Sequence, residues 1–504
     1  MSVRIIQIHE TDNVAIPVEA VSKGAILEGG LTALDDIPQG HKIALRPLAA
    51  GEPVIRYGAV IGYLKQAANA GAWINETMIE VPPPPDLDNM PWGTASAAAL
   101  PVPPRTVFRG YDIPGASFAG IRNILAIMPA VQCVSGVVNA AVEKMKRELL
   151  PRFPQVDDIV PLNHAYGCGV AMNVKDSAIW IGSLKNLLRN PNFGGEIMVV
   201  GLGCEMLTPD MLLDPEENAP ENVIILQECR GFTGMIDAIL SMAEKKLHRL
   251  NARKRTELPL SKLCVGMQCG GSDAFSGITS NPVAGYASDL LAGAGAAVLF
   301  SETTEVRDGV HLIAARCAGE EAAKKLAAEM RWYDAYLRAG GADRTANPSP
   351  GNKKGGLATI IEKALGCIAK SGTAPVTEVL SPGERPSQRG LIFAGAPASD
   401  MVCGAQQLAS GIVLQVFMTG RGTPYGLASA PVIKVSSRTI LKELWPDLID
   451  LNAGTIAEGS ETIAEAGLRL FNMIIDAASG DYKPWAERYK LHNDLTIFNP
   501  APIT

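Results

Sequence analysis

A glycine-rich stretch near the middle of the chain carries three side chains that could do chemistry. The segment VGMQCGGSDAFSG, residues 265–277, ends an apolar run on Cys269 and continues through two glycines to Ser272 and Asp273. A glycine pair lets the backbone approach a ligand closely and adopt positive φ at little cost. Thiolates and carboxylates also bind metal ions. Such a turn is a common place for a binding site, and an ordinary tight loop is the alternative.

A second candidate metal site is the segment NHAYGCG, residues 163–169. His164 and Cys168 are four residues apart, and the glycines on either side of Cys168 free the backbone. Imidazole and thiolate are good ligands for iron or zinc. A core histidine hydrogen-bonded to a sheet is the ordinary alternative, and we favour the metal-binding interpretation.

Two turns near the N-terminus place a histidine beside other polar residues. His9 precedes Asp12 and Asn13 in HETDN, and His41 precedes Lys42 in IPQGHK. Aspartate and asparagine are also common in ordinary Asx-turns, so either turn alone could be structural. Because both turns lie in one small region, and a lysine accompanies one of them, we favour a functional role.

Three cations lie in loops rich in glycine and proline. Lys353 and Lys354 occur in PSPGNKKGG, and Arg421 occurs in MTGRGTPYG. Cations on such loops commonly receive carboxylates, whereas cations on a helix face are usually only solvated. These three side chains are therefore candidates for binding a carboxylate substrate.

The elements that would position these residues fall into three parts. Residues 1–80 contain short strand patterns separated by turn signals, which predict a small β domain. Prolines cluster at both ends of residues 81–105, which predicts an extended linker. From residue 106, near-continuous apolar runs alternate with helical segments, which predicts α/β domains with a mostly parallel sheet. We divide this last part into domains of residues 106–255 and 256–504.

The ends of the apolar runs are where a site is expected, because ligands bind outside the carboxyl ends of parallel strands. If the strands are neighbours, several of the residues that follow them share one crevice. These residues are His164, Cys168, Cys204, Glu205, Glu228, Cys229, Cys269, Ser272, Asp273, Glu302 and Glu305.

Composition and motifs exclude several function classes. The net charge of -7 gives no basic footprint for nucleic acid. No stretch has the apolar length of a transmembrane helix, and the N-terminus lacks a signal-peptide cleavage site, so we expect a cytoplasmic protein. The 9 cysteines are spread widely and never form CxxC, which argues against a disulfide framework. No GxGxxG, phosphate-loop, GxSxG or HExxH motif occurs, so neither a dinucleotide nor an ATP site is expected.

Several long motifs resemble one enzyme family. HETDNVAI, IPQGHKIAL and GEPVIRYGAVIGY resemble the small SAF (β-clip) domain that opens the altronate/galactarate dehydratases. VDDIVPLNHAYGCGVAMN, MQCGGSDAFSGITSNP and GADRTANPSPGNKKGGL are similar to later parts of the same family, so the resemblance spans nearly the whole chain. The acidic segment WINETMI favours the galactarate branch. The resemblance implies an Fe(II)-dependent hydro-lyase, a carbon–oxygen lyase that converts galactarate to 5-dehydro-4-deoxy-D-glucarate and water.

Such a dehydration needs a base for the proton α to a carboxylate and a clamp for the enediolate that forms. We expect His41 and Lys42 to be the base and the acid, with His9 as a further catalytic residue. The expected metal ligands are His164, Cys168, Cys269, Asp273 and Asp12. The expected substrate-binding residues are Asn13, Ser272, Lys353, Lys354 and Arg421.

Alternatives stay open for the substrate, the cofactor and the class of protein. The substrate could be altronate or another sugar acid, or the enzyme could be a sulfolactate sulfo-lyase of the same family. Another divalent metal could replace iron, or an iron–sulfur cluster could be held by Cys133, Cys168, Cys204 and Cys269, although no spacing here is a cluster signature. The third alternative is a non-catalytic sugar-acid-binding protein. The expected partner is a small diacid sugar, without nucleic acid or membrane, and a homo-oligomer is compatible with the sequence.

Overall fold

The computed structural model describes residues 2–95 and 99–500. Residues 1, 96–98 and 501–504, which our boundaries assign to the first domain, the linker and the last domain, lie outside the described residues. Small antiparallel sheets at the N-terminus are followed by parallel sheets covered by helices, which confirms the predicted fold class. In the described ranges, no helix combines the length and apolar character needed to cross a membrane.

The N-terminal region forms a four-stranded sheet of order β1-β2-β3-β6 and a three-stranded sheet of order β4-β5-β7. Both sheets are antiparallel, as their alternating apolar patterns and short turns dictate. The strands are β1 (Ile5–Ile6), β2 (Val14–Pro17), β3 (Lys42–Ala44), β4 (Pro53–Arg56), β5 (Ala59–Leu64), β6 (Trp73–Ile74) and β7 (Ile79–Glu80). Apolar side chains of these strands share one core with Ala358, Ile360 and Ile361, so this region packs against the last domain.

The proline-rich segment that follows has no helix or strand in its described residues 81–95 and 99–105. Proline lacks an N–H donor, which explains the extended course. Arginines of the last domain bind its carbonyl groups: Arg344 Nη2 lies 2.7 Å from Pro82 O, and Arg307 Nη1 lies 2.9 Å from Pro85 O. The segment is therefore packed against the last domain as an extended strap.

The central part of the chain forms a parallel four-stranded sheet of order β10-β9-β11-β12. The strands that precede and follow this sheet in the chain, β8 and β13, pair with each other as an antiparallel ribbon. The strands are β8 (Val107–Gly110), β9 (Ile124–Pro129), β10 (Asp158–Pro161), β11 (Val199–Gly201), β12 (Val223–Ile225) and β13 (Thr256–Pro259). The helices are α1 (Ser135–Glu148), α2 (Ser177–Leu188), α3 (Pro209–Leu212) and α4 (Gly231–Asn251).

The last domain is built on a parallel seven-stranded sheet of order β16-β17-β15-β14-β18-β19-β20. Every residue of the central strand β14 is buried, as its unbroken apolar run predicts. The strands are β14 (Cys264–Cys269), β15 (Ala297–Phe300), β16 (Val376–Leu380), β17 (Gly390–Ala394), β18 (Leu414–Thr419), β19 (Val432–Ser436) and β20 (Leu451–Asn452). The helices are α5 (Ser280–Gly293), α6 (Thr303–Arg307), α7 (Val310–Ala315), α8 (Glu320–Ala339), α9 (Pro350–Lys354), α10 (Ile360–Ile368), α11 (Asp400–Ala409), α12 (Thr439–Leu444), α13 (Thr455–Glu458), α14 (Ile463–Ser479) and α15 (Trp485–Arg488).

The two parallel sheets have separate carboxyl edges, so the polar residues expected to share one crevice divide into two sets. The set at the central sheet contains His164, Cys168, Cys204, Glu205, Glu228 and Cys229. The set at the last sheet contains Cys269, Ser272, Asp273, Glu302 and Glu305.

Candidate functional site

A buried group of thiols and a carboxylate lies at the carboxyl edge of the last sheet. Cys269 Sγ is 3.5 Å from Glu305 Oε2 and 3.5 Å from Cys367 Sγ. Cys367 Sγ is 2.9 Å from the same Glu305 oxygen. The three ligand atoms lie within 4.8 Å of one another, and all three residues are buried. Thiolate and carboxylate together suit Fe(II) or a similar divalent metal.

Three elements bring this group together. Cys269 is the last residue of β14, and Glu305 lies in α6, directly after the neighbouring strand β15. Between β15 and α6, Glu302 adopts a left-handed φ of 81°, which is unfavourable for a residue with a side chain. The Cys269 N–H, 3.3 Å from Glu302 Oε2, and Lys370 both bind that carboxylate and so hold the conformation. Cys367 comes from α10 on the opposite side of the cluster.

Two lysines set the charge of the cluster. Lys363 Nζ lies 2.7 Å from Glu305 Oε1, and Lys370 Nζ lies 3.3 Å from Cys269 Sγ. The hydrogen bond with Cys367, together with Lys370, lowers the pKa of Cys269. Burial by itself would raise the pKa of Glu305, but Lys363 and Lys370 outweigh it and lower this pKa to about 2. These shifts favour the thiolate form of Cys269 and the ionised form of Glu305.

The pKa of Glu302 is shifted in the opposite direction to that of Glu305. Burial first, and then the charge of Glu305, raises the pKa of Glu302 well above its ordinary value. Two neighbouring carboxyl groups with pKa values pushed apart are a common arrangement for separate acid and base roles. The shifts therefore favour the protonated form of Glu302 and the ionised form of Glu305.

The cluster forms the floor of a cleft of about 430 Å³, a size that suits a small molecule. Four acidic side chains line it, Glu302, Glu305, Asp343 and Asp400, together with the cations Arg344 and Lys363, while Lys370 pairs with Glu302 from behind the wall. The other polar lining residues are Cys269, Thr304, Tyr333, Asn347, Ser349, Asn352 and Ser399. A polyhydroxylated ligand would find many hydrogen-bonding partners here.

Asp400, the first residue of α11, lies close against the backbone of the turn after β14. Burial, followed by the charge of Glu305, raises the pKa of Asp400 to about 6. A Cβ atom at Gly270 would lie 2.4 Å from Asp400 Oδ1, so only glycine permits this approach. The first glycine of the CGGSD motif is therefore explained by a close contact with a carboxylate in the cleft.

The structure places His41 and Lys42 at the interface between the N-terminal region and the last domain. His41 Nε2 lies 3.3 Å from Lys354 O, and Trp73 Nε1 donates to His41 Nδ1 at 3.2 Å. Burial lowers the pKa of His41, which favours the neutral ring that these two bonds require. Neither His41 nor Lys42 lines the cleft, and their roles as base and acid stay predictions.

Lys42 takes part in a buried ionic network at the start of α10. Its Nζ lies 2.6 Å from Glu362 Oε2 and donates to Gly356 O at 2.7 Å. Arg56 Nε lies 3.1 Å from the other oxygen of Glu362. Burial lowers the pKa of Lys42 to about 8, although Glu362 acts in the opposite direction. The network ties the N-terminal region to the helix that carries Lys363 and Cys367.

The turn that contains His9, Asp12 and Asn13 is closed by its own hydrogen bonds. His9 is exposed, and its Nδ1 lies 2.7 Å from Thr11 Oγ1. Asp12 accepts from the N–H groups of His9 at 3.1 Å and Gly58 at 2.8 Å. Asn13 bonds Pro53 O and the N–H of Ile55. The contacts of these residues are structural, and the proposed catalytic, metal and substrate roles stay untested.

Asp273 and Ser272 lie in the same turn as Cys269 but do not line the cleft. Asp273 Oδ1 accepts from the N–H of Ser276 at 3.0 Å and from Ser437 Oγ at 2.9 Å, and Arg438 Nε is 2.9 Å from Oδ2. Ser272 is buried, and its hydroxyl has no hydrogen-bond partner within residues 2–95 and 99–500. The structure thus places Cys269 in the candidate metal site, whereas the hydrogen bonds of Asp273 close the turn.

His164 and Cys168 belong to the central sheet, away from the group that contains Cys269. Both ring nitrogens of His164 bind backbone, because Nε2 lies 2.7 Å from Pro129 O and Tyr166 N–H donates to Nδ1 at 3.2 Å. Burial lowers the pKa of His164 to about 4. Cys168 is exposed. This arrangement matches the core-histidine alternative for His164, while metal binding at both residues stays a prediction.

The three loop cations do not line the cleft, and their binding of substrate stays a prediction. Lys353 and Lys354 end α9, and Lys354 is exposed. Arg421 is exposed as well, and its backbone N–H donates at 2.8 Å to the carbonyl of Gly271, a residue of the cleft wall. Arg344 and Lys363 are the cations that the structure places in the cleft itself.

Sequence analysis missed several residues of the cleft and of the buried group beside it. Lys363, Cys367 and Lys370 are spaced by four and three residues in an otherwise apolar segment, IIEKALGCIAKSG. That spacing places the three polar groups on one face of a helix, which is the sequence pattern that could have predicted them as site residues. Asp400 follows β17, so the strand-end argument could also have found it.

Comparison with known proteins covers almost the entire chain. Residues 3–82 match the altronate/galactarate dehydratase SAF domain, and residues 110–251 match the second domain of D-galactarate dehydratase/altronate hydrolase. Residues 260–503 match the C-terminal domain of D-galactarate/altronate dehydratase.

Individual relatives agree with these domain matches. The chain is 52% identical to galactarate dehydratase (L-threo-forming) of Escherichia coli (strain K12), over 99% of this chain and 97% of the relative. It is 34% identical to altronate dehydratase of Bacillus subtilis (strain 168), over 94% and 95%. It is 36% identical to (2R)-sulfolactate sulfo-lyase subunit beta of Chromohalobacter salexigens, over only 45% of this chain and 59% of that subunit. The chain belongs to the altronate/galactarate dehydratase family.

Proposed function

We propose that this chain is a hydro-lyase that dehydrates galactarate to 5-dehydro-4-deoxy-D-glucarate in the cleft at the carboxyl edge of the last sheet. The observation that carries this proposal is the identity of 52% with a galactarate dehydratase over 99% of the chain. The cleft of about 430 Å³, with its ionisable floor, is the place where the described residues could do this chemistry.

Galactarate carries a carboxylate at each end, so its binding requires positive charge. Arg344 and Lys363 are the cations of the cleft wall. Arg344 is held by Asp308, with Nε 3.0 Å from the carboxylate, and by the carbonyl of Pro82 in the strap. Because an arginine fork binds carboxylates in a fixed geometry, we assign Arg344 to one terminal carboxylate.

With Glu302 paired to Lys370, the cations Arg344 and Lys363 still face Glu305, Asp343, Asp400 and a dianionic substrate, so an added cation would help to balance the charge. Cys269, Glu305 and Cys367 would hold a divalent metal, which we take to be Fe(II) from the family resemblance. When bound, such a metal acts as a Lewis acid that stabilises the negative charge of an enediolate. Other divalent metals with an affinity for thiolate fit the same three ligands.

Two carboxyl groups of the cleft have the pKa values that proton transfer needs. Asp400, whose pKa is raised to about 6, is ionised at neutral pH and close to the ideal strength for a base that removes the α-proton. Burial raises the pKa of Glu302 well above its ordinary value, which favours the protonated form that an acid for the departing hydroxide requires. We therefore assign Asp400 as the base and Glu302 as the acid.

The test is an anaerobic assay of 2-keto acid formation from galactarate, with Fe(II) added and, in parallel, with a chelator. We expect iron-dependent product from galactarate and much less from altronate and sulfolactate. The matched pair Cys269→Ser and Cys264→Ser, at opposite ends of β14, separates loss of a ligand from loss of a buried thiol. We expect only Cys269→Ser to lose activity and iron. Folded protein that forms no product from galactarate in either condition contradicts the proposal.

We also propose that the enzyme works in the cytoplasm and that copies of the chain form a homo-oligomer. The relationship to a family of metabolic enzymes supports the first statement, and cell fractionation tests it. Light scattering of the purified chain gives the oligomeric state. A monomer at micromolar concentration would contradict the second statement.

A further inference from the structure

The central domain carries a set of cysteines that the proposed reaction does not use. Five of the cysteines are buried and Cys229 is half-buried, whereas Cys133, Cys168 and Cys204 are exposed. Cysteine is among the residue types most often buried, even when it forms no disulfide. All three exposed thiols follow strands of the same parallel sheet, at its carboxyl edge. Packing does not account for them.

The loops that carry the three cysteines are joined by backbone hydrogen bonds. They follow β9, β10 and β11, which are direct neighbours with β9 in the middle. The N–H of Gln132, next to Cys133, donates to Tyr166 O at 3.0 Å. The N–H of Met206, two residues after Cys204, donates at 2.8 Å to the carbonyl of Gly167, which precedes Cys168. Each cysteine therefore lies one or two residues from a contact with a neighbouring loop.

Glycines make this close approach of the loops sterically allowed. Gly167 has a φ of 103°, and a Cβ atom there would lie 2.3 Å from Ala130 O in the loop of Cys133. Gly203 has a φ of 120°, and a Cβ atom there would lie 2.6 Å from Gln227 Oε1. The positive φ at both positions favours glycine, and at Gly167 a side chain would collide with the backbone of the Cys133 loop, so these two loops can approach closely only with glycine there.

The surroundings of this edge favour negative charge and donate to sulfur. The helices α1 and α4 begin here, two residues after Cys133 and Cys229 respectively, and a helix N-terminus stabilises a thiolate. Gln227 Nε2 lies 3.5 Å from Cys204 Sγ. The Ser135 hydroxyl is buried and has no hydrogen-bond partner within residues 2–95 and 99–500. An anionic group with sulfur acceptors would use these donors.

The three thiols are not gathered as closely as the ligands of a single metal ion. Among the described residues, the three cysteines do not form a group whose ligand atoms all lie within 4.8 Å, as Cys269, Glu305 and Cys367 do. A single zinc ion requires four ligands that converge at bond distance. An iron–sulfur cluster instead binds each thiolate to a different iron, so its ligands stand farther apart. His164 is no competitor, because backbone groups occupy both of its nitrogens.

We propose that Cys133, Cys168 and Cys204 bind an iron–sulfur cluster of the four-iron type at the carboxyl edge of the central sheet. Each thiolate binds one iron, and the fourth iron takes a ligand other than these three cysteines. Of the four cysteines considered in the sequence-based cluster hypothesis, Cys269 belongs to the separate group in the last domain. The cluster site is thus distinct from the metal site of the proposed dehydratase cleft.

The experiment is anaerobic reconstitution of the full chain with ferrous iron and sulfide, followed by desalting. We expect a brown protein with an absorption band near 400 nm and about four iron and four acid-labile sulfide per chain. Iron in the cleft adds at most one further iron and no sulfide, so sulfide reports this site alone. Cys133→Ser, Cys168→Ser and Cys204→Ser should each lower bound sulfide at least tenfold.

Cys317→Ser is the matched control for the loss of a thiol outside the proposed cluster site. The Cys317 thiol is buried and donates to Ile313 O, a bond that a hydroxyl can replace. This variant should keep the full sulfide content, and so should Cys269→Ser. Circular dichroism confirms that each variant is folded, which we expect because the three substituted side chains are exposed. The proposal is overturned if the wild type binds no sulfide, if it binds zinc alone, or if sulfide is lost in Cys269→Ser and kept in Cys204→Ser.

Discussion

The contact between Gly270 and Asp400 gives the sharpest test of the assigned base. In Gly270→Ala, the added Cβ would lie 2.4 Å from one Asp400 oxygen and 2.6 Å from the other. Ordinary contacts of a Cβ atom begin near 3.4 Å, so the carboxylate must move by about 1 Å. A misplacement of about 1 Å in a catalytic group can cost roughly a hundredfold in rate. We therefore expect kcat to fall about a hundredfold while KM changes little.

A double-mutant cycle separates this cause from others. The same Cβ would also lie 2.5 Å from Phe417 Cζ, so a packing defect is the competing explanation. If Gly270→Ala acts through the carboxylate, adding it to Asp400→Asn should cause almost no further loss of kcat. Gly182→Ala in α2, where an added Cβ has no neighbour within 4 Å, controls for the glycine replacement itself.

The assay is steady-state formation of 2-keto acid from galactarate with iron-loaded enzyme, accompanied by a thermal melt of each variant. A kcat for Gly270→Ala within about threefold of wild type, in protein that melts normally, would refute the geometric reasoning. If each single variant loses kcat and the two losses add in the double variant, the effect of Gly270→Ala is assigned to the contact with Phe417. Full turnover by Asp400→Asn would remove Asp400 as the base.

Three further perturbations test other parts of the structure. Arg344→Met removes a charge-assisted bond to substrate worth about 2 kcal/mol, so KM should rise roughly thirtyfold with little change in kcat. The control is Arg338→Met at the exposed C-terminal end of α8, which should change neither KM nor kcat. Lys42→Met removes a charge-assisted bond to Glu362 but leaves Glu362 paired with Arg56, so urea unfolding should show a loss of about 2 kcal/mol, and kcat of the folded protein should stay within a few-fold of wild type. A kcat loss without a stability loss would instead support the catalytic role predicted for Lys42. The pKa of His164 is about 4 in the fold against 6.5 for the free side chain, so stability is complete above pH 6.5 and falls by about 3 kcal/mol as the pH drops to 4. His164→Gln should remove most of that dependence in acid-unfolding curves, and an unchanged curve would contradict the burial argument.

The sequence was informative about each sheet and about the residues at its strand ends. The run CVGMQC predicts a buried parallel strand because no residue in it needs water, and all six of its residues are buried. Cys269, Glu302 and Glu305 were expected at one edge because they follow β14 and β15, which indeed pair in parallel. The local pattern therefore identified this part of the cleft floor.

The partners of those residues depend on contacts across long stretches of chain. Cys367 lies 98 residues from Cys269 in sequence, and no local pattern indicates that α10 packs over that strand end. Likewise, a histidine–lysine pair in a turn has the same chemistry whether it faces a substrate or a domain interface. Lys42 bonds a carbonyl 314 residues away, and that contact is set by docking of the two domains. Residue type predicted reactivity here, whereas tertiary packing decides what each group meets.

The helix α10 connects the N-terminal region to the cleft, which gives the small domain a physical role in the reaction. Glu362 near its start binds Lys42 and Arg56 of the N-terminal region, while Lys363 and Cys367 on the same helix reach Glu305. Removing two cations and a carboxylate from water is costly, so this network adds little to net stability compared with apolar packing. Its benefit is positional, because the bonds fix one orientation of α10. We infer that the N-terminal region helps to hold Lys363 and Cys367 in place, while the catalytic roles expected for His9, His41 and Lys42 stay predictions.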